Sequence, residues 1–204
     1  MLKNFFPERE FSALLFDFDG TVADTMATHL DSWNKSLGVY GLTLSRQQHL
    51  AWAGRPTREI VQLLNELHHT NISFDELSKA KEIHYLESLA GVKEIIPVVE
   101  IIRHYYGKIP MAIVSGSRHK PVETTLQHLG LAKYFDITVC AEDYIHGKPA
   151  PDCFLKAAAL LHVKPEDCLV FEDATLGIQA AQNAGMACLC VTEKAKSDHT
   201  LSKI

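Results

Sequence analysis

A parallel β-sheet covered by helices on both faces, with a small helical block inserted after its first strand, is the α/β fold that this 204-residue sequence predicts. Three observations lead there. Short continuous apolar runs, the mark of strands buried on both faces, recur along the chain. Longer stretches with helical spacing separate them, and strand–helix–strand repeats in this order require parallel pairing. Residues 22–91 break that alternation with three helical patterns in succession and no convincing strand.

The first apolar run is Ala13-Leu14-Leu15-Phe16. Helical spacing then covers 27–37, 57–67 and 74–89, with no repeat, linker or low-complexity tract to set these apart. This block reads as a cap resting on the core, dividing the chain into a catalytic core of 1–21 and 92–204 and a cap of 22–91. A helix over 98–106 leads into the strand Met111-Ala112-Ile113-Val114. A helix over 121–129 precedes Ile137-Thr138-Val139-Cys140, and one over 151–161 precedes Cys168-Leu169-Val170-Phe171. The last helix, 176–184, precedes Ala187-Cys188-Leu189-Cys190-Val191. Gly130 and Gly185 stand where a helix ending wants a left-handed residue. Residues 194–204 are mostly polar and are expected to form a loose tail.

Composition narrows the function classes. With 47% hydrophobic residues, 22% charged and a net charge of −5, wholesale disorder is excluded. No apolar run approaches the ~20 residues that cross a bilayer. Residues 1–10 carry Lys3, Glu8, Arg9 and Glu10 and lack the apolar stretch of a secretory signal. An acidic excess without a Lys/Arg block argues against nucleic acid or an anionic membrane as partner. Five cysteines with no Cys-x-x-Cys pair, and eleven histidines without His-Glu-x-x-His, argue against a disulfide framework or a zinc site. The expectation is a soluble cytoplasmic monomer acting on a small molecule.

The chemistry gathers at predicted strand ends, where open parallel sheets bind ligands. The first strand runs into Phe16-Asp17-Phe18-Asp19-Gly20-Thr21; alternation along a strand would point both carboxylates the same way. Val114 is followed by Ser115-Gly116-Ser117, small groups suited to a phosphate at a helix start. Lys148 lies in the Pro-stiffened segment Gly147-Lys148-Pro149-Ala150-Pro151-Asp152, and Phe171 is followed by Glu172-Asp173. Each has an ordinary alternative: a turn for Asp-Gly, helix caps for Ser115, Glu172 and Asp173, a solvated loop lysine for Lys148. Together they supply what phosphoryl transfer needs. One carboxylate attacks phosphorus and a second moves the proton. Hard oxygen ligands suit Mg²⁺, and a lysine with helix-opening amides neutralises the transferring group.

These four motifs in order resemble the haloacid-dehalogenase-like superfamily, in its phosphatase and phosphomutase branch, whose core is a Rossmann-like parallel sheet. The resemblance extends over 147–152 and 171–185, including Gly177, Ala180, Ala181 and Ala184, and covers essentially the whole chain. It implies that Asp17 is the nucleophile and Asp19 the general acid/base. It implies Mg²⁺ held by Asp17, the Asp19 carbonyl and Asp173, with Glu172 nearby, and a phosphoryl group bound by Ser115 and Lys148. Gly20, Thr21, Gly116 and Ser117 belong to the same expected binding surface.

The helical block should choose the substrate. Thr25, His29 and Trp33 follow one another at helical spacing, and this segment resembles the start of the cap in β-phosphoglucomutases and sugar phosphatases. The stretch Ala53-Gly54-Arg55-Pro56-Thr57-Arg58 resembles their specificity loop, so Arg55 or Arg58 is expected to meet a second polar group of the substrate. For Trp33 and His29 the alternatives are cap packing and simple exposure. Cap and loop look most like bacterial phosphatases of fructose-1-phosphate and 6-phosphogluconate. The alternative is a β-phosphoglucomutase interconverting β-glucose-1-phosphate and glucose-6-phosphate, since His29, Arg58 and Arg118 sit at positions resembling mutase contacts. A non-catalytic sugar-phosphate binder on the same fold is the reading from another class; intact Asp17 and Asp19 count against it.

Overall fold

The computed structural model of the chain describes residues 10–191 and the backbone of 202–203. Strand β1 (Ala13–Phe16) is buried at every position. After it come helices α1 (Met26–Leu37), α2 (Arg46–Ala51), α3 (Thr57–His68) and α4 (Phe74–Glu87). The alternating half follows: α5 (Ile96–Tyr105), β2 (Met111–Val114), α6 (His119–His128), β3 (Ile137–Val139), α7 (Asp152–Leu160), β4 (Cys168–Glu172), α8 (Thr175–Asn183) and β5 (Ala187–Cys190). A short strand β6 (Ser202–Lys203) completes the order.

The sheet runs β3-β2-β1-β4-β5-β6, parallel from β3 to β5 and antiparallel at β6. Because β1 is central, the chain winds outward to one side through β2 and β3, then returns to the other through β4 and β5. Ligands of such sheets bind at that reversal, outside the carboxyl ends of the strands. Side chains alternate across the sheet as the runs predict. Leu14, Phe16, Ile113, Leu169 and Phe171 join one core with α5 and α6. Ala13, Leu15, Ala112, Val114, Val139 and Val170 join the other with α7 and α8. Phe16 stacks on Phe171 at 4.6 Å, fixing the register of β1 on β4 beneath the site.

The helical block has a core of its own around Trp33, Leu37, Leu44, Ile60, Leu64 and Leu77. Trp33 therefore packs as the bland alternative holds. The two crossings that join this block to the sheet half pair with each other, Asp24 N–H to the Lys93 carbonyl at 2.9 Å and Ile95 N–H to Val22 at 2.8 Å.

Differences from expectation are local. Helix α2 lies where no helix is predicted; six residues are too few for a readable period, and its start is set by a capping box between Ser45 and Gln48. Gly130 and Gly185 do take the left-handed conformation, with φ of 68° and 72°. Of the tail expected to be loose, 194–201 and 204 lie outside the described residues, while Ser202 and Lys203 pair with β5. The expectation of no secretory signal in 1–10 falls almost wholly outside them too. Among the described residues no helix is long and apolar enough to cross a membrane. All five cysteines are free thiols, and burial pushes Cys153 and Cys168 up to about 11.

Candidate active site

Strand β1 ends at Phe16, so Asp17 and Asp19 fall in the loop beyond it and the expected strand alternation does not govern them. Both carboxylates line one cavity, as expected, but they go to different partners. Lys148, reaching in from the segment before α7, donates to Asp17 Oδ1 and Glu172 Oε2, both at 2.7 Å. It is fully buried, not a solvated loop lysine. Burial alone would lower its ammonium pKa, but the two carboxylates outweigh that and hold it well above the usual lysine range. Asp17 is pushed up to about 7, first by burial and then by the neighbouring Glu172, against the pull of Lys148.

Asp17, Glu172 and Asp173 converge, each offering an oxygen within 4.8 Å of the others. Glu172 Oε1 also accepts from the Asp173 and Ala174 amides, which orients it. Gly20, at φ 91°, leaves room for Asp173: a Cβ there would collide with its carboxylate. Thr21 lies 3.5 Å from the same carboxylate. Three hard oxygen donors with a lysine to balance their charge fit a small divalent cation such as Mg²⁺.

Asp19 stands in a cage of donors. Oδ1 accepts from Thr25 at 2.8 Å and from His29 Nε2 at 2.7 Å; Oδ2 accepts from Ser115 at 3.0 Å and Ser117 at 2.8 Å. Burial works against its charge, yet His29, Ser117 and Thr25 outweigh that and hold its carboxyl well below the usual range. The two serines expected at the phosphoryl group thus give their hydroxyls to Asp19. His29 is buried, not exposed, and stacks on Tyr85 at 4.4 Å.

Behind His29 lies Lys81, which sequence reasoning missed. Its Nζ is 3.1 Å from His29 Nδ1. An ammonium can only donate, so His29 accepts at Nδ1 and donates to Asp19 from Nε2. Burial, then the charge of Lys81, holds His29 below its ordinary value despite Asp19. A readable signal existed: Lys81 shares a helix stripe with Leu77 and Tyr85, where a lysine needs a partner. His49, also missed, lies on the unpredicted α2.

The helical block roofs the site, leaving a cavity of about 50 Å³ lined by Asp17, Asp19, His29, His49, Arg55 and Asp173, among others. Gly116 packs so closely on this roof that a Cβ would stand 2.6 Å from the Gly54 carbonyl oxygen. Arg55 faces the cavity with a buried, unpartnered Nε while its Nη1 binds Glu59 at 2.9 Å. Arg58 and Arg118 are not brought to the carboxylates. They line a separate cavity of about 260 Å³, where Arg58 lies over the Phe74 ring at 4.1 Å and Arg118 pairs with Glu142 at 3.1 Å.

Known proteins resemble this chain in sequence and in fold. The family model described as haloacid dehalogenase-like hydrolase matches residues 14–191. The chain is 42% identical over 176 residues to fructose-1-phosphate phosphatase YqaB of Escherichia coli K12, covering 86% of this chain and 94% of that one. It is 30% identical to the β-phosphoglucomutase of Bacillus subtilis, covering 85% and 80%. A hydrolase structure from Pseudomonas syringae superposes with a TM-score of 0.79 at 22% identity, covering 87% and 83%, a likeness of fold.

Proposed function

The chain belongs to the haloacid dehalogenase-like hydrolases and is a phosphoric monoester hydrolase, and from that premise we propose that it releases phosphate from small phosphorylated sugars through an aspartyl-phosphate on Asp17. The observation that carries this reading is the buried Asp17, gripped at Oδ1 by Lys148 and flanked by Glu172 and Asp173. The grip leaves Oδ2 to attack phosphorus as the ester P–O bond breaks, and Asp19 gives the departing alkoxide its proton. Asp19 then takes a proton from water, whose oxygen attacks phosphorus, freeing Asp17 and inorganic phosphate.

The caged, ionised Asp19 is the form needed for that second step. For the first, Ser115 and Ser117 turn to the phosphoryl oxygens, which removes two of its donors and raises its proton affinity, so that Asp19 takes up a proton from solvent; the proton it takes from water in the second step restores that form for the next turnover. Asp17, Asp173 and the Asp19 carbonyl would hold Mg²⁺, with Glu172 close by. When bound, the ion supplies positive charge to the phosphoryl oxygens.

Residues 22–91 act in this reading as the cap over a core of 1–21 and 92–204. Arg55, in the cleft, is the better placed of the two loop arginines to meet the leaving group. The relative named as a fructose-1-phosphate phosphatase is the more similar, at 42% against 30% for the mutase, which favours water over a sugar hydroxyl as acceptor.

The test is phosphate release from hexose and pentose phosphates with Mg²⁺, beside β-glucose-1-phosphate with a trace of its 1,6-bisphosphate. Release from several esters without glucose-6-phosphate is expected. Asp17→Asn should cost about a thousandfold or more in turnover while its melting curve stays that of a folded protein. Rapid glucose-6-phosphate formation would make it a mutase, and undiminished turnover in Asp17→Asn would remove the nucleophile.

A further inference from the structure

The cleft wall contributed by α2 holds a polar side chain that the chemistry above does not use. His49 lines the cavity with Asp17, Asp19 and Arg55 and is 7% exposed. Its ring nitrogens have no hydrogen-bond partner among the described residues and are not sealed from the cleft. Placement is firm: the His49 amide donates to Ser45 at 2.9 Å within a helix turn closed by the Ser45–Gln48 capping box. A buried polar ring held rigidly in a cleft without a protein partner is arranged for a ligand.

The ligand's chemistry follows from the surroundings. Burial, then nearby His29 and Lys81, pushes His49 down to about 4, so the ring is neutral near pH 7. A neutral imidazole offers one N–H donor and one acceptor nitrogen. That suits a hydroxyl, which both donates and accepts, and suits an anion poorly; the cations of the cleft, Lys81 and Arg55, serve anions better. Trp33, Trp52, Met26 and Ile60 line the same cavity and offer apolar surface to the C–H face of a sugar. We propose that His49 is a specificity-determining residue that reads a hydroxyl of the leaving alcohol through its ring nitrogens. This rests on the phosphatase reading and names what its helical roof selects: a polyhydroxylated leaving group.

The experiment compares kcat/KM for fructose-1-phosphate and 6-phosphogluconate with that for p-nitrophenyl phosphate, whose leaving group has no second hydroxyl. His49→Phe keeps the ring volume and removes both nitrogens. It should lower kcat/KM for the sugar esters about tenfold more than for the aryl ester, the weight of one or two uncharged hydrogen bonds. His49→Gln, which keeps a donor and an acceptor, should recover most of that discrimination, and thermal melts establish that both variants fold. Equal losses on all three esters, or none, overturn the role of His49 while leaving the phosphatase reading intact. A wild type that turns over the aryl ester and no polyhydroxylated ester overturns the sugar reading and His49's role with it.

Discussion

Lys81 is a charge buried at a cost that the site uses. It sits over the rings of Trp33 and Tyr85, at 5.3 and 5.9 Å, and sets the tautomer of His29 that meets Asp19. Burial, opposed by Asp19, holds it down to about 8 against an ordinary 10.5. Between those values the unfolded chain carries a proton that the folded chain has lost, so stability rises with pH. Below pH 8 both states are protonated, and the cost of burying the charge is felt in full. Measured against Lys81→Met, the wild type should therefore gain about 3 kcal/mol between neutral and strongly alkaline pH. Urea denaturation at both pH values checks this; a difference that does not change with pH would mean that the ammonium is hydrated. The variant should also turn over more slowly, because His29 would lose the donor that fixes its tautomer.

Among the elements, the joint between the Gly54–Arg55 loop and the start of the β2–α6 turn governs access. Gly116 stands against the Gly54 carbonyl, and Arg55's own carbonyl is 3.2 Å from the position of a Cβ. Backbone on both sides leaves nothing flexible to give way. Gly116→Ala is expected to push the loop outward and shift Arg55, raising KM for sugar phosphates about tenfold with a smaller effect on kcat. Steady-state kinetics on fructose-1-phosphate would show it, and an unchanged KM would mean that the loop gives way without disturbing the substrate. The capped turn of α2 and the pairing of 22–24 with 93–95 are comparable fixtures, each holding a side chain or a crossing in place by backbone hydrogen bonds.

At the scale of the molecule, the sheet reversal at β1 gathers chemical groups from the ends of β1, β2 and β4 and from the segment before α7, and the helical block closes over them. Its cavity of about 50 Å³ is well below the ~300 Å³ or more of ordinary ligand pockets, so a sugar phosphate is expected to need more room than this arrangement gives. Metal binding links to the stability of the whole fold. Saturating Mg²⁺ is expected to raise the melting temperature by about 5–10 °C, and Asp173→Asn should abolish the rise. Asp17, at about 7 without the ion, must lose its proton for the ion to bind, so the rise should shrink in mildly acid buffer. Scanning calorimetry with and without a chelator decides it; an equal rise in Asp173→Asn would place the ion elsewhere.

Sheet, helices and the four chemical strand ends were legible in the sequence because each depends on local patterns: apolar runs, helical spacing and short motifs at their ends. Local patterns cannot say what a side chain will touch across the fold. That Asp17 and Asp19 take different partners within one cavity, that Ser115 and Ser117 bind Asp19, and that Arg55 faces the cleft while Arg58 does not, depend on where strands stop and how separate helices turn. Lys81 and His49 belong to the same class, since a polar residue within a helical stripe acquires a role only from what packs opposite it. The sequence by itself determined the fold and which polar residues stand at the strand ends; the tertiary structure alone decided their partners and charges, because burial and long-range hydrogen bonds are properties of the assembled chain.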